Sequence, residues 1–183
     1  MRSILRGPNF LAFSLVISVA AFPSPLGAAA ALARPFETIR IIPPPHVLLI
    51  NTSTTRAVYG TGDRLSVGLE VENGGVDAVV DLYFGMLLPD GGTVVSFTDL
   101  SFQVALGSLA DLSTLVPIAR DLDLLTPFSF AQAEFFSVVW SGSEAAGTYA
   151  IFFFAAEVGA LDDGALDPEE IVAADATFFS FSP

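Results

Sequence analysis

The chain has no cysteine and no lysine, and its only imidazole is His46. Without thiols there is no disulfide framework, no zinc–thiolate centre, no thiol catalysis and no anchoring through a lipidated N-terminal cysteine. Positive charge is scarce as well. Seven arginines face twenty carboxylates, for a formal charge of −13 over 183 residues. A phosphate-tracking surface needs a basic patch, so nucleic acid is not expected as a partner. The G-x-S-x-G elbow, the H-E-x-x-H helix and a glycine-rich loop opening a helix are all missing, and with them the usual signs of a serine hydrolase, a zinc hydrolase and a nucleotide site. What is present in quantity is apolar surface. Hydrophobic residues make up 52% of the chain, with 17 Phe against 3 Tyr and 1 Trp, which is too apolar for a disordered acidic chain.

The N-terminus reads as an export signal. Arg2 and Arg6 precede an apolar run from Phe10 to Phe22, Pro23-Ser24-Pro25 breaks it, and Ala31-Leu32-Ala33 has the small-x-small pattern that signal peptidase cleaves. The run is shorter than the roughly 20 apolar residues a membrane-spanning helix needs. The expected organisation is a signal peptide over 1–33, a Pro-rich arm over 34–45 ending in Pro43-Pro44-Pro45, and one folded domain over 46–183. Cleavage would leave five arginines against twenty acids, a net charge of −15. The expected location is extracellular, periplasmic or at the cell surface, with no stable membrane insertion after cleavage.

Strand signals dominate the domain. Leu65, Val67, Leu69 and Val71 alternate with Ser66, Gly68, Glu70 and Glu72, the period of a strand with one wet face. From Val76 to Leu88, the set Val80, Leu82, Phe84, Met86 and Leu88 shares one face, and Val79, Asp81, Tyr83, Gly85 and Leu87 the other. Asn73-Gly74-Gly75 and Pro89-Asp90-Gly91-Gly92 supply turn chemistry, and Thr93–Phe97 returns antiparallel. Further strands are expected over 47–50, 128–140, 149–157 and 171–181. Residues 98–126 have no sustained period and read as a long connection across one end or face. Ser108-Leu109-Ala110-Asp111 within it resembles a capping box for one short helix. The run Tyr149–Ala156 does not alternate with polar residues, so both faces of that strand must be covered; the outer one is expected to lie under the 98–126 connection, the alternative being a patch for a partner subunit. The expected fold is all-β: a single antiparallel sandwich of about seven to nine strands, with Leu65, Leu69, Tyr149 and Trp140 in its core.

Several motifs in order resemble bacterial secreted immunoglobulin-like modules, CARDB-type adhesion modules among them. They are Gly60-Thr61-Gly62-Asp63-Arg64-Leu65 running into Val71-Glu72-Asn73-Gly74-Gly75; Val80-Asp81-Leu82-Tyr83-Phe84-Gly85 leading to Leu88-Pro89-Asp90-Gly91; Gly147-Thr148-Tyr149; and Asp163-Gly164-Ala165-Leu166-Asp167-Pro168. The resemblance covers about residues 46–182. It implies an immunoglobulin-like sandwich used for spacing, adhesion or assembly, with no shared catalytic set. Modules of this kind often stand in arrays, whereas this sequence has one copy and no internal repeat.

No residue is assigned a catalytic, cofactor-binding or metal-binding role. His46 follows three prolines in the arm and lacks the rigid surroundings a triad needs. Trp140, at a strand end, is expected to fill core or edge rather than stack on a sugar. Asn51-Thr52-Ser53 matches a glycosylation sequon and carries no weight behind a bacterial-type signal. Aligned on Gly164, the acidic stretch 159–170 has Asp163, Asp167 and Glu170 at calcium-loop positions but Gly159 and Leu161 where carboxylates are required. It is read as a turn with solvated carboxylates and a positive-φ corner at Asp163-Gly164, so calcium is not expected to be structurally required. The expected function is an exported, non-catalytic structural, adhesive or assembly module, with another protein or a surface polymer as partner. The alternative is a carbohydrate- or small-ligand-binding accessory module of secreted enzymes.

Overall fold

The computed structural model describes residues 47–183. The export signal 1–33, the arm 34–45 and His46 lie outside the described residues. Those described belong to one compact unit and form ten strands: β1 Leu48–Thr54, β2 Val58–Tyr59, β3 Arg64–Asn73, β4 Val79–Leu87, β5 Thr93–Phe97, β6 Val104–Ser108, β7 Ala119–Asp123, β8 Phe128–Val139, β9 Gly147–Glu157 and β10 Ile171–Phe181. The all-β expectation holds for these residues.

The strands build two sheets. One has three strands in the order β1-β3-β8. The other has seven, in the order β2-β10-β9-β4-β5-β6, with β7 also on β4. Strand β4 divides one edge between two partners: Val79–Leu82 pairs with β7 and Gly85–Leu87 with β5. All pairings are antiparallel except β2 on β10, which is parallel. That parallel pair, and ten strands in place of seven to nine, correct the sequence-based expectation. Strand β2 is only two residues long, and its register is set by Ala57 and Tyr59 carbonyls accepting from Ser180 and Ser182 rather than by any side-chain pattern.

One core cluster draws on both sheets. Leu65, Val67, Leu69 and Val71 of β3 are buried, as the alternation predicts, against Val80 and Phe84 of β4 and Ile151 and Phe153 of β9. The phenylalanines account for much of it. The Phe84 ring lies 4.6 Å from that of Phe97 and 5.3 Å from that of Phe135, distances at which offset and edge-on pairs add to the burial of apolar area. Trp140 sits in a second aromatic nest, stacked at 4.6 Å on Phe181.

A smaller cluster covers the outer face of the seven-stranded sheet. Tyr83, Phe152, Phe154 and Ala156 lie under Leu112 and Leu115 from the 98–126 segment and under Ala160, Leu161 and Leu166 from the acidic stretch. The non-alternating run 149–156 is therefore covered on both sides, as expected, though by two segments rather than one. Gly85 is needed on this face, because a Cβ there would stand 2.5 Å from the Phe152 ring.

Residues 98–126 are more structured than expected. They contain β6 and β7, which extend the larger sheet. Their sequences gave no strand signal because both are edge strands: β6 leaves Val104 and Leu106 exposed, and β7 is mostly polar. The anticipated helix is a single 3-10 turn, Leu112–Thr114. Its cap is Asp111, whose side chain accepts from the Ser113 N–H, and not Ser108, whose hydroxyl accepts from the Ala110 N–H.

Candidate functional site

The acidic side chains go first to turns. In the Gly60–Asp63 turn, Asp63 accepts from the Gly60 N–H at 2.8 Å and pairs with Arg56 at 2.8 Å. Gly62, at φ +85°, donates its N–H to the Trp140 carbonyl. The Gly60 amide, followed by Arg56, holds the Asp63 carboxyl below its ordinary range. Asp90 accepts from the Thr93 hydroxyl and from the Gly92 and Thr93 amides, and is held low mainly by that hydroxyl. Glu144 accepts from the Ser141 and Gly142 amides, Ser141 contributing most to its lowering. Each such carboxylate closes a loop locally.

Other carboxylates act over longer range, Asp81 and Asp175 among them. Asp81, buried in β4, accepts from the Asp121 N–H at 3.0 Å and lies 3.7 Å from Arg120. It thereby fixes β7, in which Asp121 has a φ of +52°. Asp175 of β10 accepts from both the amide (2.6 Å) and the hydroxyl (2.7 Å) of Thr52 in β1, and Thr177 donates to the Thr52 carbonyl at 2.7 Å. These bonds join the two sheets along one side.

The residues singled out in the sequence do not converge. Trp140 is 3% exposed and belongs to the core; its indole N–H has no hydrogen-bond partner among the described residues. Tyr149 opens β9 and donates its hydroxyl to the Ala145 carbonyl at 2.6 Å, tying down the β8–β9 loop as a tyrosine corner does. Burial, then the neighbouring Glu144 charge, pushes its pKa up. Asn51 lies exposed on β1, 3.4 Å from Glu70. In the acidic stretch Gly164 does adopt positive φ (+84°), and Asp163 accepts from the Ala165 amide. Among the described residues no group of three or more His, Cys, Asp or Glu is placed to hold a metal ion.

A large concavity lies elsewhere, where the sequence gave no cue. It is a crevice of about 510 Å³ between the sheets, open beside the start of β8. Its walls include Ile50, Leu69 and Val71 from the smaller sheet, Leu82 and Phe153 from the larger, and Leu122 from β7. Of its lining residues only Ser129 has a polar side chain. It arises because the smaller sheet stops at β8 while the larger continues to β7. Phe128 and Phe130 stand opposite Asn73 and Val71 in register, on the core face, yet remain 37% and 39% exposed. The sequence shows there only an ordinary alternation, Phe128-Ser129-Phe130, which reads as a core face.

No protein-family model matches the chain, and no curated protein matches it. Among solved structures it is similar to the Pseudomonas fluorescens alkylpurine DNA glycosylase AlkC bound to DNA containing an abasic site analog, at 11% identity and a TM-score of 0.33. The match takes in 75% of this chain and 30% of the glycosylase chain.

Proposed function

We propose that the chain is an exported, non-catalytic structural, adhesive or assembly module built on an immunoglobulin-like β-sandwich. The observation that carries the non-catalytic reading is the crevice itself. Its lining offers one hydroxyl and no titratable group, whereas catalysis needs convergent polar side chains. The carboxylates described above are committed to turns, caps and strand fixation. The immunoglobulin-like assignment is supported by the tyrosine corner at Tyr149 and by a core shared between two sheets; the CARDB-like resemblance rests on the sequence motifs alone. Export is supported by the residues of the 1–33 segment. Of the alternative accessory-module reading, the sugar-binding form loses its obvious aromatic platform to the core, since Trp140 is buried; the small-ligand form keeps the apolar crevice.

The test is the fate of the whole chain in a bacterial host. N-terminal sequencing of protein from the envelope or medium is expected to show cleavage near Ala33. An intact Met1 on protein retained in the cytosol would overturn the reading.

A further inference from the structure

Strand β8 is an edge. It pairs with β3 on one side and, among the described residues, with no strand on the other. Its first five residues, Phe128–Gln132, run in regular register with Leu69–Asn73 before an irregularity near Gly68. They carry no charge. A regular edge of this kind presents a row of N–H and C=O groups ready for another strand. Beside it lies the apolar crevice, which Phe128 and Phe130 line from the core face of the same strand. An unpaired edge and an adjoining side-chain trough are together what β-strand addition requires: backbone pairing supplies affinity, and pockets for alternate side chains supply selectivity. A small apolar molecule in the crevice would leave the edge unused.

Charge selects the occupant. Asp99, Asp121 and Asp123 are sequence neighbours of the lining residues Leu100 and Leu122, and Glu72 accepts from the Ser129 hydroxyl at 2.7 Å. The nearby cation Arg120 is placed against Asp81. Residues 47–183 hold three arginines and nineteen acids, so a second copy of this domain is repelled, whereas cationic flanks are attracted. We propose that β8 and the crevice receive an extended segment of another polypeptide, added edge to edge on Phe128–Gln132, with alternate apolar side chains in the crevice and Arg or Lys at its flanks. Five residues of strand span about 17 Å and direct two or three side chains inward. The proposal deepens the assembly reading and rests on it.

Fluorescence anisotropy of the full exported chain with short labelled peptides tests it. The probe peptide alternates isoleucine and threonine between arginines. One control carries glutamates at the flanks, and a second has a central proline that removes a backbone donor. The arginine-flanked peptide should bind, weaken as salt rises, and exceed both controls by about tenfold or more. Ala119→Trp fills the crevice from an exposed position, and Phe130→Gln makes its wall polar; each should cost about tenfold in affinity in protein whose melting curve is retained. No binding below about 1 mM, equal binding of all three peptides, or full affinity in folded Ala119→Trp protein each overturns the proposal, as does an acyl-chain probe that binds where the peptide does not. None of these results touches the N-terminal sequence that decides export, so the two readings fail separately.

Discussion

The two long sides of the core are closed by opposite means. Along the β1–β10 side the sheets meet through polar groups, with Thr52, Asp175 and Thr177 bonded across the gap at 2.6–2.7 Å in three contacts. Along the β8 side there is no such join. Half of that side is plugged by Phe102, which packs 5.5 Å from Phe135 and 5.3 Å from Phe136. The other half, at Phe128 and Phe130, stays open as the crevice. Polar closure has fixed geometry and leaves nothing to bind; apolar closure is incomplete wherever the strand count of the two sheets differs. An acidic protein thus keeps an uncharged, concave surface on the side where the smaller sheet ends.

Truncations in the closed core and at the open side should separate most widely. Leu65, in the central strand β3, is fully buried in the core, so Leu65→Ala is expected to cost about 2–5 kcal/mol in equilibrium denaturation. Phe130→Ala, on the open side, should cost less than Leu65→Ala although a larger side chain is removed, because its ring is already partly in water. Equal losses would mean that the crevice is closed in solution.

Asp175→Ala breaks the polar side. It leaves the amide and hydroxyl of buried Thr52 without their acceptor, for an expected loss of about 1–3 kcal/mol. A loss near zero would show that the sheets are held together there by packing alone. Tyr149→Phe removes one hydrogen bond at the β8–β9 corner and should cost about 0.5–1.5 kcal/mol by the same measurement.

Acid should act through carboxylates in the turns and through Glu134 of β8. The carboxyls of Asp63, Asp90, Asp99, Glu134 and Glu144 are all held below their ordinary values of 3.8 and 4.5. A lowered folded value means the unfolded chain takes up protons first. Their contribution is therefore complete above pH 4.5 and is lost as pH falls through the lowered values. Melting temperature should be level from neutrality down to about pH 5 and fall below about pH 4; a decline already under way at pH 6 would contradict this. The smallest effect is expected for Ala119→Trp, whose site is exposed at the crevice: about 0.5 kcal/mol or less in denaturation, in contrast to its effect on peptide binding.

Much of the fold was legible because periodicity and turn chemistry are local. The alternation in 64–73, the two faces of β4 and the Pro89–Gly92 turn depend on neighbours one to four residues away, and the structure places them as read. Strands β6 and β7 were not legible, because an edge strand needs only backbone partners and its side chains carry no pattern. The crevice was illegible for a related reason. Its walls come from residues between Leu48 and Phe153, and each looks like an ordinary core residue until the sheets are counted.

By itself, then, the sequence determined the all-β class, the faces of β3 and β4, the turns and the acidic, cation-poor surface, since each follows from side-chain type and short-range spacing. Tertiary structure alone decided that one sheet has three strands and the other seven, that Asp175 rather than an apolar residue closes the β1–β10 side, and that Phe128 and Phe130 are left partly exposed. These outcomes depend on which distant strands find each other, and strand pairing over such separations is governed by the packing of the whole core rather than by any segment within it.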